Sequence, residues 1–313
     1  MSKQSTKLGV ALGSGSARGW AHIGVLQALR DNGIEADVVT GCSVGAMVGA
    51  SYAANKLDDL GRWATELTWR DVFGLLDVHL SGGVFEGRKL FEFIQSHMGD
   101  MNFADLEKPF AAVATDIETG REIWLRKGSL ATAIRASASL PGLLAPYKTP
   151  QGRYLLDGGL VNPVPVSLCK ALGADIVIAV NLNAEIVGKH IRNPRKLGLW
   201  TEEQASKTDV EMEPDEQSEW LQKLSQVFGF ELDDEKQVPE AQAPGMIEVV
   251  ASAINIMQDR VTRSRMAGDP PDLVLSPKLA HMGLMEFNRA EEAIEMGRKV
   301  VQEALPQLQS ITV

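Results

Sequence analysis

Short unbroken apolar runs alternate along the chain with longer stretches in which apolar side chains recur every third or fourth residue. The first spacing belongs to strands buried on both faces and the second to helices with one buried stripe. Leu8-Gly9-Val10-Ala11-Leu12 predicts a first strand, and the stripe of Ile23, Leu26 and Leu29 predicts a helix that Gly33 ends. Ala36-Asp37-Val38-Val39 predicts a second strand, followed after a sharp turn by a helix of small residues, Ala46-Met47-Val48-Gly49-Ala50. Helical spacing returns over residues 57–71 and 88–98, where Leu90, Phe91, Phe93 and Ile94 form a stripe and Gly99 a cap, with Ser81-Gly82-Gly83 as a turn between them.

Residues 109–116 and 121–126 predict a hairpin turned by Glu118-Thr119-Gly120. A small-residue helix over 130–139, closed by Pro141, leads to a strand at 153–156 that breaks at Asp157-Gly158-Gly159. A helix opening with Pro163 and Pro165 runs to Gly173, and Asp175 to Leu182, the longest apolar run, reads as a central strand covered on both faces. The alternation predicts an α/β fold with a mostly parallel central sheet and helices on both faces.

The pattern breaks over residues 184–245, which are rich in Glu, Asp, Lys and Gln and carry Pro194, Pro214, Pro239 and Pro244. Within this insertion Trp220, Leu221, Leu224, Val227 and Phe228 have the spacing of one amphipathic helix, expected to pack on the parent domain. A lid, a contact with a protein partner or a second copy, and a lipid-touching surface are the alternative uses of that face. Regular structure is expected again at 246–266, 273–275 and 286–305, so that residues 1–313 form one domain interrupted by the insertion.

Composition narrows the function. A net charge of −10 excludes a nucleic-acid surface and disfavours electrostatic adhesion to anionic membranes, leaving transient apolar contact with lipid open. Two cysteines, Cys42 and Cys169, without Cys/His spacing of a zinc site, point to a reducing compartment and no metal. The polar start Met1-Ser2-Lys3-Gln4-Ser5-Thr6-Lys7 lacks a signal-peptide core and no run reaches membrane-spanning length, so a cytoplasmic location is expected.

The candidate chemistry centres on Gly41-Cys42-Ser43-Val44-Gly45, which matches the G-x-S-x-G elbow that holds a serine hydroxyl out between a strand and a helix N-terminus. The loop Gly13-Ser14-Gly15-Ser16-Ala17-Arg18-Gly19 lacks the Gly-Lys-Ser/Thr ending of a phosphate-binding loop. It also lacks the acidic residue of a dinucleotide fingerprint at the next strand end, so an oxyanion hole made by its N–H groups ranks first. Asp157-Gly158-Gly159 is either a plain turn or a carboxylate brought close to other backbone. Arg135 serves a structural ion pair or a polar head group, and Phe73, Leu75, Leu76 and Phe85 either cover the sheet or line an acyl pocket.

Taken together, the glycine loop running on through Ala21-His22-Ile23-Gly24-Val25-Leu26, the elbow, Arg135-Ala136-Ser137-Ala138-Ser139-Leu140-Pro141-Gly142 and Asp157-Gly158-Gly159 make the chain resemble the patatin-like phospholipases, in particular their bacterial intracellular branch. The resemblance covers residues 7 to about 182 and, more weakly, those from about 270 onward. It implies a patatin-like three-layer fold and a lipid or lysophospholipid acyl hydrolase with a Ser/Asp dyad, without cofactor or metal. Carried over, Ser43 is the nucleophile and Asp157 the base. The N–H groups of Gly13, Ser14, Gly15, Ser16, Ala17 and Arg18 supply the oxyanion hole, and Gly19, Gly41, Gly45, Gly158 and Gly159 are motif glycines. A carboxylate near its usual pKa of about 4 is a weak base for a hydroxyl, so the oxyanion hole and helix dipole must carry much of the work. Many relatives have four consecutive glycines where this chain has Gly13-Ser14-Gly15-Ser16; a serine at positive φ there costs stability.

Three alternatives compete. A Ser-His-Asp hydrolase would draw its histidine from Leu279-Ala280-His281-Met282-Gly283, with His190 in the insertion. A regulatory or scaffold protein would keep the fold without turnover, and Cys42 could replace Ser43 as nucleophile.

Overall fold

The computed structural model describes residues 6–68, 70–72, 88–184 and 246–312. The expected pocket residues Phe73, Leu75, Leu76 and Phe85, the turn at residues 81–83, His190 and the amphipathic helix around Trp220 lie outside the described residues.

The first strand, β1 (Leu8–Leu12), feeds the glycine loop, a single turn of 3-10 helix at Ser16–Trp20 and helix α1 (Ala21–Asp31). Strand β2 (Val38–Cys42) leads through Ser43 into α2 (Val44–Ala53), and α3 (Leu57–Glu66) and α4 (Arg88–Met98) follow. Next come β3 (Phe110–Asp116), β4 (Glu122–Leu125), α5 (Leu130–Ser137), β5 (Tyr147–Lys148) and β6 (Tyr154–Asp157). After α6 (Val166–Ala171) and β7 (Ile176–Val180), the described chain resumes with α7 (Met246–Gly268), β8 (Leu273–Leu275) and α8 (Ala290–Thr312).

The eight described strands form one sheet. β8, β7, β1, β2 and β3 run parallel, while β4 and β6 pair antiparallel with β3 and β5 pairs antiparallel with β6. The strands without polar alternation are the covered ones, since every residue of β1, β2 and β3 is buried. Successive side chains divide between two faces. Val10, Leu12, Ile178 and Val180 join the larger core with α1, α2, α3 and α8, whereas Ala11, Val177 and Ala179 pack under α6. Helices therefore flank both faces of a mixed sheet, as expected.

Three boundaries differ from the pattern reading. The helix expected over 57–71 stops at Glu66, because Leu67 is extended (ψ 123°) and Asp71 accepts the Thr68 N–H and hydroxyl at 2.9 and 2.6 Å, starting a separate turn. The helix expected from Pro163 to Gly173 occupies only Val166–Ala171. The closing helix starts at Ala290 rather than at 286 and continues past Pro306, because fully buried Leu308 anchors its last turns.

The C-terminal helix reaches back to the start of the fold. At its crossing with α1, a Cβ on Gly24 would overlap the Ile294 carbonyl and one on Gly297 the Ala21 carbonyl, so the two backbones approach as only glycines allow. Gly24→Val is expected to cost about 3 kcal/mol or more through overpacking. Gly61→Ala, whose Cβ would meet Ile23 at an ordinary 3.4 Å, should be neutral or gain up to about 1 kcal/mol in helix propensity. Urea unfolding midpoints of the two variants check the contrast.

Candidate active site

The site arises from how two strands share one side of β3. Strands β2 and β4 both pair with Ala112 and Val113, so they lie on opposite sides of β3; β4 and β6 both pair with Ala114 and Thr115, so β6 lies on the β2 side. β2 runs up that side to Cys42, opposite Val113, and β6 runs down it to Asp157, opposite Ala114. The two strand ends therefore meet head-on, and the residue after Cys42 is Ser43.

Ser43 occupies φ 57° and ψ −124°, a strained conformation for a residue with a side chain, and it forms the N-cap of α2. Close packing imposes the turn. A Cβ on Gly41 would overlap the Gly45 carbonyl, and one on Gly45 would overlap the Leu12 and Gly13 carbonyls. The elbow is pinned from behind by Ser137 of α5, whose Oγ accepts the Ser43 N–H at 3.0 Å and donates to the Val113 carbonyl at 2.7 Å. Ser43 is 7% exposed.

Asp157 is fixed through its backbone, with its N–H on the Ser139 carbonyl (2.8 Å) and its carbonyl on the Thr115 hydroxyl (2.8 Å). Arg135 donates to the Ser139 hydroxyl and to the Ala145 carbonyl, so it braces this corner through hydrogen bonds; its own pKa is lowered by burial. The Asp157 Oδ1 accepts the Gly159 N–H at 2.7 Å and has the Cys42 thiol at 3.9 Å. Oδ2 is buried and accepts no hydrogen bond of ordinary length. Burial pushes the carboxyl up to about 6, against opposing contributions from the Ser43 hydroxyl, the Gly159 N–H and the Cys42 thiol. Asp157-Gly158-Gly159 combines the two readings: its carboxylate accepts the N–H two residues on, as in an Asx turn, and Gly158 lies so close to β3 that a Cβ there would overlap the Val113 carbonyl.

Cys42 is fully buried, and burial with the nearby Asp157 charge raises its thiol well above the usual value. It therefore stays protonated and inaccessible, which removes it as a nucleophile.

The glycine loop ends β1 beside the elbow. Four of its six candidate donors are committed elsewhere: Gly13 N–H to Val180, Ser14 N–H to Pro163, Ala17 N–H to Leu284 and Arg18 N–H to Gly15. Among the described residues, nothing accepts the N–H of Gly15 or Ser16. Ser16 carries the positive φ (49°) anticipated for one of the two loop serines, whereas Ser14 does not. Gly15 is glycine for space, because a Cβ there would meet Leu182 Cδ1 at 2.6 Å. A Cβ on Gly19 would overlap Val44.

Two residues the sequence reading passed over hold this loop. His22 is fully buried, its Nε2–H donates to the Gly13 carbonyl at 2.7 Å, and desolvation lowers its pKa to about 4. Because a carbonyl can only accept, His22 is the neutral Nε2–H tautomer, leaving Nδ1 buried without a partner. Gln258 of α7 accepts from the Ser14 hydroxyl at 3.0 Å. Arg18, its pKa lowered to about 10 by burial, still carries its charge at neutral pH and donates to the Gly15 carbonyl at 3.3 Å. His281 instead pairs with Glu292 at 2.5 Å on a half-exposed surface. Among the described histidines, His22, His97 and His281, none contacts Ser43 or Asp157.

A family model described as patatin-like phospholipase matches residues 10–170, which include the loop, elbow and Asp157. An uncharacterized NTE family protein of Mycobacterium tuberculosis is 34% identical over 96% of this chain and 92% of its own length. Neuropathy target esterase sws of Drosophila melanogaster (35% identical) and mouse patatin-like phospholipase domain-containing protein 6 (35%) each match 57% of this chain, but only 13% and 14% of their own lengths. The crystal structure of VipD from Legionella pneumophila aligns with 97% of this chain and 77% of that one, at 14% identity and a TM-score of 0.45. With half its residues under the family model and a relative matched almost end to end, the chain belongs to the patatin-like phospholipase family.

Proposed function

We propose that the protein is a serine acyl hydrolase that cleaves carboxylic ester bonds of lipids, phospholipids or lysophospholipids with a Ser43/Asp157 dyad. The observation that carries this reading is the head-on meeting of β2 and β6, which sets a buried carboxyl with one free oxygen beside a strained serine at a helix N-terminus. Ser43 Oγ attacks the ester carbonyl while Asp157 takes the hydroxyl proton. The tetrahedral oxyanion is held by the uncommitted N–H groups of Gly15 and Ser16, close to the Arg18 cation and the first turn of α2. Asp157 returns the proton to the departing alkoxide, and the acyl-Ser43 ester is then hydrolysed by water in the reverse sense.

Burial supplies part of the missing basicity. Raising the carboxyl from its ordinary 3.8 to about 6 improves the proton transfer by on the order of 3 kcal/mol over an exposed aspartate. The reading fits a reducing, cytoplasmic setting, since Cys42 and Cys169 are both free and buried. Among the described residues no helix is long and apolar enough to cross a membrane, so substrate would be met by transient contact.

Three outcomes check the proposal. Ser43→Ala should lower hydrolysis across a lipid-class panel by at least about 10³-fold and abolish fluorophosphonate labelling, whereas His281→Ala should retain both. Labelling of Ser43→Ala at the wild-type rate would sink the serine assignment. The logarithm of kcat/KM should fall with unit slope as pH drops below about 6, because a protonated Asp157 cannot act as base.

The third outcome concerns stability. A carboxyl whose folded pKa lies above its unfolded one destabilises the fold wherever it is ionised. Asp157→Asn should therefore be inactive yet more stable by on the order of 2–3 kcal/mol at pH 8, a gain that shrinks as pH falls from 6 to below 4. Thermal melts of both proteins across that range test it.

A further inference from the structure

Helix α7 reverses the usual division between inside and outside. Gln258, Asp259 and Thr262 are buried, while Ile256 and Met257 are 46% and 52% exposed. Burying polar side chains costs free energy unless they find partners; Gln258 finds them across the sheet edge and Asp259 in Arg263 of its own helix, while the Thr262 hydroxyl is buried without one among the described residues. Asn255, Gln258, Thr262 and Arg265 follow one another at helical spacing along a single stripe. That stripe lies across the carboxyl edge of the sheet. Asn255 Oδ1 accepts from Arg18 Nη2 at 3.4 Å; Arg265 donates to the Val161 carbonyl at 3.1 Å and to Glu122 Oε2 at 2.7 Å.

Gln258 sits at the centre. Its Oε1 accepts from the Ser14 hydroxyl and from Asn183 Nδ2, both at 3.0 Å, joining the glycine loop to the chain leaving β7. Its Nε2 packs so closely on Gly159 that a Cβ there would overlap it and stand 3.0 Å from Asp157 Oδ1. One side chain thus touches both halves of the site. Ser14 is one of the two positions at which this chain departs from a run of glycines, and its N–H is bonded to the Pro163 carbonyl. Bonds at both its N–H and its hydroxyl leave Ser14 little freedom, and the next peptide carries the Gly15 N–H.

We infer that Gln258 is a positioning residue that holds the Gly15 donor in fixed relation to Asp157, acting through the Ser14 hydroxyl. The inference rests on the acyl-hydrolase reading above. It differs from a packing role in what it moves: the rate of the chemical step and not substrate affinity.

The test uses the full chain, a soluble p-nitrophenyl ester and a fluorophosphonate. Gln258→Leu, Ser14→Ala and the double variant are compared for kcat, KM, rate of Ser43 labelling and melting temperature. Each single change is expected to lower kcat and labelling about tenfold with KM within twofold. The double variant should fall no more than about twofold below the weaker single, the signature of two groups acting through one contact. Multiplicative losses, or a kcat unchanged in Ser14→Ala, overturn the inference. Ser14→Ala removes a single oxygen, so it decides the matter even where Gln258→Leu fails to fold. Wild-type protein without Ser43-dependent hydrolysis or labelling would overturn the reaction itself and the inference with it; an active wild type with insensitive variants overturns the inference alone.

Discussion

Two strands cannot occupy the same stretch of a neighbour, and the site is the consequence of that exclusion at β3. Because β2 stops opposite Val113 and β6 stops opposite Ala114, two chain ends point at each other from consecutive positions along β3. Both chains must leave the sheet at once. β2 does so through the Ser43 turn and β6 through Gly158, and each exit presses on backbone already in place: Gly45 on the β1 end and Gly158 on the Val113 carbonyl. Glycine at these positions follows from the crowding. The one hydroxyl that fits behind the junction, Ser137, satisfies the Ser43 N–H and the Val113 carbonyl together, replacing a ladder bond that neither strand can supply.

Such a junction is stable only because the rest of the fold over-determines it. Positive φ at Ser43 and at Ser16 each costs on the order of 1–3 kcal/mol, and Asp157 Oδ2 and His22 Nδ1 are buried without partners. These costs sit at the carboxyl edge of a sheet whose central strands are wholly buried and whose first helix is locked to the last by Gly24 and Gly297. The polar stripe of α7 covers the same edge, with Asn255, Gln258 and Arg265 hydrogen-bonded to it and the Thr262 hydroxyl buried without a partner among the described residues. Strain and unsatisfied groups are thus concentrated where chemistry needs a fixed, dehydrated geometry.

Much of this was legible beforehand, for physical reasons that differ by element. Continuous apolar runs announced β1, β2, β3 and β7 because covered strands have no solvent face to encode. The elbow was legible because its glycines answer local crowding. From its own residues Asp157 was legible only as a turn or a close approach, its role as base coming from the family resemblance, since its partner strand end is 115 residues earlier and register across β3 is not a local property. His22 and Ser137 stood within the blocks that carry the resemblance but without a role, and Gln258 gave no signal; each lies in a helix, and its role comes from which carbonyl or hydroxyl tertiary packing delivers. Which of the six loop N–H groups are left without an acceptor among the described residues, those of Gly15 and Ser16, was hidden for the same reason, as the partners of Gly13, Ser14 and Ala17 N–H lie at Val180, Pro163 and Leu284. The closing helix, expected to end at residue 305, runs on through Pro306, where burial of Leu308 outweighs one lost helical bond.

The distribution of basicity in the site has a single cause. Dehydration disfavours whichever form of a group is charged, so it lowers an imidazole and raises a carboxyl. His22 falls from 6.5 to about 4 and Asp157 rises from 3.8 to about 6, which reverses their ordinary order. The histidine nearest the loop is thereby reduced to a neutral donor that holds the Gly13 carbonyl, and the carboxylate acquires a proton affinity close to that of a free imidazole. A histidine base in this pocket would have to carry its charge through the same dehydrated surroundings. In the proposed reaction the carboxylate bears its charge beforehand and sheds it on accepting the proton, so acylation would relieve the burial cost that the folded protein carries at rest.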